Sequence, residues 1–203
     1  RKTEFKENPE KGGIIFNTTN YPEYEKSEEL QYIESVTPDT IPIFTSSLCV
    51  SVSEQCRLQA HPARLIGIGL YDTFSKAKRI EIAPSKITDA AILKNAENFL
   101  SEAGVNYSVV PDRVGLIFPR IVSMIINEAA QVYSEQIASK EDIDTAMKLG
   151  TNYPFGPLEW ADRLGVELVY NILAALQRDF GEDRYRPHPL LKEMANLKKR
   201  FYD

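Results

Sequence analysis

Two histidines, two cysteines and one short cationic run have the most obvious chemical reach in this 203-residue sequence. Their spacing organises none of them. His61 precedes Pro62, and His188 sits between Pro187 and Pro189, so both read as exposed loop residues without a spaced catalytic partner. Cys49 and Cys56 show no zinc-ligand spacing and form no disulfide framework. They read as two buried thiols in a reducing compartment. Lys76, Lys78 and Arg79 could meet the phosphates of an anionic ligand, although a solvated edge is the plainer reading. Gly67-Ile68-Gly69 begins a G-x-G-x-x-G phosphate loop but has Asp72 at the third glycine. It also lacks an acidic residue about 20 positions on at the end of a further strand. We read it as strand backbone. Thr45-Ser46-Ser47 follows an apolar run. Its hydroxyls could hold a substrate oxygen or satisfy the backbone of a turn. No metal-binding constellation is present.

The elements that must position these residues fall into two kinds. The run Gly13 to Thr19 reads as a buried parallel strand ending in a loop. Leu30, Ile33 and Val36 give helical spacing over residues 25–36, stopped by Pro38. Strands are expected at 41–44, 65–71, 79–83 and 107–110, with a short helix at 51–58. A longer helix is expected from Thr88, as N-cap, to Ala103, with Leu93, Ala96, Phe99 and Leu100 on one face and Gly104 after it. Alternating strands and helices predict a parallel α/β sheet. From Pro111-Asp112 onward the pattern is helical. Residues 117–137 are apolar on more than one side, which implies burial in a bundle or against another subunit. Further helices are expected after Ser139, after Gly156-Pro157, from Val166 to Phe180 and from Pro189 to Lys199. The expected division is an α/β part over 1–111 and an all-α part over 112–203.

Composition excludes several classes. A net charge of -5 argues against nonspecific nucleic-acid binding, which needs basic surface. No apolar run is long enough to span a bilayer and no secretory signal is visible, so cytoplasm is the expected setting. The first residue is Arg1 rather than Met, consistent with a trimmed or processed start.

The segment Ile137-Ala138-Ser139-Lys140-Glu141-Asp142-Ile143-Asp144-Thr145-Ala146-Met147-Lys148-Leu149-Gly150 runs on into Thr151-Asn152-Tyr153-Pro154-Phe155-Gly156-Pro157-Leu158-Glu159-Trp160. It closely resembles the carboxy-terminal helical domain of the 3-hydroxyacyl-CoA dehydrogenase family, as do Arg184-Tyr185-Arg186-Pro187-His188-Pro189 and Phe201-Tyr202-Asp203. The resemblance implies a partial Rossmann-like parallel sheet followed by that helical domain, NAD as cofactor, an acyl-CoA ligand and a homodimer through the helical domain. It begins near Gly13, so the glycine loop of a complete dinucleotide-binding domain is expected to be absent from this chain.

The resemblance also assigns positions. Such enzymes oxidise a secondary alcohol with a histidine base oriented by a glutamate. Gly69 stands at the histidine position, and Glu81, twelve residues on, stands at the glutamate. Pro119 replaces a polar Asn at the start of the long helix, and Phe44 replaces an Asn near the cofactor. Ser46, in Thr45-Ser46-Ser47-Leu48, matches the serine of the substrate hydroxyl site. The expectation is a family relative with impaired chemistry that keeps Ser46 and Glu81 as remnants and serves a binding, assembly or regulatory role. The alternatives are an active NAD-dependent enzyme completed by sequence outside this chain, and a passive acyl-CoA binder.

Overall fold

A computed structural model describes residues 13–20, 23–71 and 79–202. Lys76 and Lys78 lie outside the described residues. The sheet part carries β1 (Ile15–Asn17), α1 (Glu23–Val36), β2 (Ile43–Ser46), α2 (Val52–Gln55), β3 (Leu65–Ile68), β4 (Ile80–Pro84), α3 (Ala90–Glu102) and β5 (Tyr107–Val109). The strands lie in sequence order, β1-β2-β3-β4-β5.

Three of the four pairings are parallel, and β3 with β4 is antiparallel. The expected parallel sheet is present, with one antiparallel pairing within it. A parallel return needs a crossover of about a dozen residues or more, usually helical. The β3–β4 connection, residues 69–79, is shorter than that.

Alternation along the strands makes two cores. Ile43 and Leu65 face Leu30 and Ile33 of α1 and Val52 of α2. Phe44, Ile66, Ile68 and Ile82 face Ile92, Ala96 and Leu100 of α3. Phe44, at the expected polar cofactor position, is thus a core residue, stacked on Phe16 at 5.2 Å between ring centroids.

Two local expectations for α3 change. Its N-cap is Asp89, which accepts from the N–H groups of Ala91 and Ile92. Thr88 is committed elsewhere: its hydroxyl donates to the Leu65 carbonyl and accepts from Ser85 N. The face packed on the sheet is Ile92, Ala96 and Leu100, while Phe99 stays at the rim.

The helical part comprises α4 (Phe118–Ser134), α5 (Lys140–Thr151), α6 (Pro157–Leu164), α7 (Val166–Phe180) and α8 (Pro189–Asn196). Helix α4 is not apolar and buried all round. Val122, Ile126, Ala129 and Ala130 enter the core, while Ile121 remains 55% exposed. Ser139 caps α5 by accepting from Asp142 N, and Asn152 ends it in the left-handed conformation.

One side chain ties three segments together. Asp144 of α5, 1% exposed, accepts from Leu158 N at 2.8 Å and Glu159 N at 3.0 Å, so it caps α6 from another helix. It also accepts from the Tyr202 hydroxyl at 2.9 Å. A Cβ on Gly156 would lie 2.2 Å from Asp144, so glycine is what lets the carboxylate approach.

Candidate functional site

The segments after β2 and β3 and the turn before α4 meet at position 69, through Leu48, Tyr71 and Leu116. Open α/β sheets place ligands beyond the carboxyl ends of their strands. Ser46, the last residue of β2, is 1% exposed, and its hydroxyl donates to the Asn20 side-chain oxygen. Thr45 and Ser46 therefore belong to the strand rather than to a turn.

Gly69 follows β3 directly, and its N–H donates to the Glu81 carbonyl. A Cβ at Gly69 would lie 3.1 Å from Leu116 and 3.9 Å from both Leu48 and the Tyr71 ring. The space in which a side chain at 69 would begin is bounded by apolar atoms. Leu116 reaches it from a backbone with φ of 52°. Beyond it runs an aromatic row, Tyr71–Phe118–Trp160–Tyr153, with ring centroids 6.0, 6.2 and 5.1 Å apart.

Glu81, on β4, lacks the histidine partner that the resemblance implies and is instead a structural carboxylate. Its carboxylate accepts from Ile117 N at 2.7 Å and Phe118 N at 3.0 Å. The next residue, Pro119, has no N–H to satisfy, and Arg120 N donates to the Gly115 carbonyl. The amino terminus of α4 is thereby satisfied by Glu81 and Pro119 acting together. Substituting Pro119 for a polar residue leaves the helix start intact.

Gly67 and Gly69 do not form a phosphate loop. Gly67 lies inside β3, between β2 and β4. A Cβ there would meet the Ser47 hydroxyl at 2.3 Å, Val52 at 2.8 Å and the Ala83 carbonyl at 3.0 Å. The glycine admits its neighbours, not a pyrophosphate. These two glycines do not make a pyrophosphate cradle.

His61 stands before the amino end of β3, a strand length away from Gly69. His188 is not a free loop residue: its Nδ1 accepts from Leu190 N and caps α8, while its own N–H donates to the Asn127 side chain. Neither replaces the imidazole. Arg79 donates to the Tyr107 carbonyl and the Ser108 hydroxyl on β5. Cys49 is buried, and burial pushes its thiol up to about 12; burial also raises Cys56, to about 11. Among the described residues no metal-holding group of His, Cys, Asp and Glu occurs, and no helix is long and apolar enough to cross a membrane.

Sequence reasoning missed one buried polar network. Lys26 of α1 is 1% exposed, and its ammonium donates to the Asn17 side chain and the Thr19 carbonyl, both at 2.8 Å. Asn17 in turn donates to Glu29, and Thr45 donates to Gln55. Burial lowers the Lys26 pKa to about 7, against the opposing pull of Cys49 and Glu29. The only sequence signal was a lysine four residues before the core position Leu30.

Unfolded lysine titrates near 10.4, so above pH 7 the unfolded chain binds a proton that the folded chain lacks. This group's contribution to stability therefore rises with pH from about 7. Above about 9 the two thiols act in the opposite direction, because their folded values lie above the unfolded one. Between pH 7 and 8.5 the Lys26 contribution is expected to grow by roughly 1–2 kcal/mol. Denaturant melts should show that gain in the native sequence and not in Lys26→Met; equal slopes would refute it.

Residues 115–200 match the family model described as 3-hydroxyacyl-CoA dehydrogenase, C-terminal domain. The chain is 40% identical over 120 residues to a 3-hydroxyadipyl-CoA dehydrogenase of Escherichia coli K12, covering 59% of this chain and 25% of that protein. It is 34% identical over 161 residues to a 3-hydroxybutyryl-CoA dehydrogenase of Clostridioides difficile, covering 77% of this chain and 56% of the relative. Among solved structures, the (S)-3-hydroxybutyryl-CoA dehydrogenase PaaH1 of Ralstonia eutropha superposes with a TM-score of 0.79 at 26% identity, covering 91% of this chain and 65% of that one. FadB2 of M. tuberculosis shares the fold, with a TM-score of 0.84 at 22% identity, over 93% of this chain and 70% of its own. The chain belongs to the 3-hydroxyacyl-CoA dehydrogenase family. It spans 56% of the Clostridioides difficile relative and 25% of the Escherichia coli one.

Proposed function

We propose that this chain is a member of acyl-CoA metabolism, set in the cytoplasm, whose hydride-transfer chemistry is impaired and whose role is binding, assembly or regulation. The observation that carries this reading is the environment of Gly69. Among the described residues no proton acceptor stands there, apolar atoms bound the space, and the Glu81 carboxylate that would orient one is engaged by two backbone amides. Ser46 keeps a hydroxyl at the strand end, and we assign it, with the aromatic row, to an acyl thioester rather than to turnover. Glu81 becomes the residue that positions α4. Calorimetry with acetoacetyl-CoA, paired with a steady-state assay against NADH, tests the reading. Binding is expected with turnover at least about 10²-fold below that of relatives carrying the histidine.

A second reading, an active NAD-dependent enzyme completed from outside these residues, is favoured by one feature. Among the described residues β1 pairs only with β2, so its outer edge is open, and Phe16 beside it is 37% exposed. Turnover on adding a dinucleotide-binding partner would support that alternative.

We also propose that the division between sheet and helical parts falls near residue 112, and that the helical part carries a homodimer contact. A cavity of about 490 Å³ opens between α4, α5 and α6, lined by Ile125, Val132, Ala138, Ile143, Met147 and Pro157. Ile121, Ile137 and Leu149 lie exposed on the same helical part, Leu149 at 82%. Contiguous apolar surface of this kind marks an interaction site. Sedimentation should report a dimer for the native protein and a shift toward monomer for Val132→Glu. A native monomer at micromolar concentration would overturn it.

A further inference from the structure

A second cleft, of about 480 Å³, lies where α1, α2 and the helical turn after it meet the end of α7. Its volume is in the range of small-molecule pockets. Its lining differs from the surroundings of Gly69. Leu58, 61% exposed, gives it an apolar wall, with the buried Leu30 and Val50 beneath. Arg57 and Arg178 bring two guanidinium groups to it from opposite halves of the chain, one beside α2 and one on α7. Arg178 is held in place by donating to the Cys49 carbonyl at 3.2 Å. That bond uses one of the five N–H donors a guanidinium carries. Lys26 also touches the lining, but its ammonium is committed to Asn17 and Thr19, and among the described lining residues Glu54 is the acidic one.

Two arginines beside an apolar wall select for an anion carried on a hydrocarbon body. The planar fork of a guanidinium matches a carboxylate with two parallel hydrogen bonds, which a single ammonium cannot supply. We propose that this cleft binds a small monocarboxylic acid, with the carboxylate gripped by Arg57 and Arg178 and the hydrocarbon packed against the exposed Leu58. Gln55 of its lining donates to the Ser46 carbonyl, so the cleft lies behind the end of β2, and its proposed occupant does not depend on the chain's catalytic competence. Because Arg178 comes from α7 and the rest of the lining from the sheet part, an occupant would bridge the two parts of the chain.

Titration calorimetry with hexanoate, and with hexanamide as its uncharged counterpart, tests the proposal. Hexanoate is expected to bind saturably, at one site per chain, at least about tenfold more tightly than the amide, because hydrogen bonds to charged groups contribute about 1.5–3 kcal/mol. Arg178→Gln and Arg57→Gln are each expected to weaken hexanoate at least about fivefold. Arg57 is exposed, so its variant keeps the test decisive if the Arg178 change disturbs folding. Native binding of acetoacetyl-CoA in both variants would separate this cleft from the strand-end site. Absence of saturable hexanoate binding, equal affinity for the amide, or indifference to Arg57→Gln would each overturn the proposal.

Discussion

Reduction of acetoacetyl-CoA by NADH is expected to run about 10²- to 10⁴-fold slower on this chain than on relatives carrying an imidazole at the position of Gly69. That range is what a positioned general acid–base group typically contributes, and here no described side chain supplies one. The neighbours of position 69 are Leu48, Leu116 and the Tyr71 ring, whose phenol is shifted upward by burial and by the nearby Glu81. A raised phenol is a poorer base near neutral pH, so Tyr71 does not make good the loss. Gly69→His is a demanding complement. Its Cβ would sit 3.1 Å from Leu116, tight but at the end of a flexible side chain. The new imidazole would also compete with Ile117 N and Phe118 N for the Glu81 carboxylate. A partial gain is therefore expected. Native turnover equal to that of intact relatives would sink the account of position 69.

Asp144→Ala is expected to destabilise the fold by about 3–5 kcal/mol, because it strands three donors at once. Leu158 N and Glu159 N at the start of α6 lose their acceptor, and so does the Tyr202 hydroxyl. Two of these belong to the α6 terminus, where the Glu159 carboxylate already serves the Gly156 N–H and leaves Leu158 N and Glu159 N to Asp144. At this chain length each kcal/mol moves the melting temperature by about 2–4 °C, so a loss on the order of 10 °C should appear in a thermal melt. Asp144→Asn keeps one acceptor oxygen and should lose roughly half as much. A change of under about 2 °C for the alanine variant would show that α6 does not depend on this cap.

Much of the fold is legible along the chain because its signals are local. The helices α5, α6 and α7 begin at Ser139, Gly156-Pro157 and Gly165 because capping hydroxyls, proline's fixed φ and glycine's freedom act within one turn. Gly181, in the left-handed conformation, ends α7 for the same reason. The family, too, is written in contiguous motif residues that make these turns and caps. Less legible were features that depend on where a second segment lies. The reversed direction of β4, and the choice of Asp89 over Thr88 as cap, turn on loop reach and on competing partners.

The sequence alone determined which groups are present: a glycine where a base belongs, a glutamate twelve residues later, a proline at the head of α4, and a serine closing β2. Tertiary structure decided what those groups do. Only folding brings Glu81 to the amides of Ile117 and Phe118, buries Lys26 against Asn17, and sets Arg57 beside Arg178 across more than a hundred residues. The physical reason is range. Side-chain type and backbone preference act over a few residues, whereas the partners of a charge, and hence its pKa and its role, are chosen by the packing of elements distant in sequence.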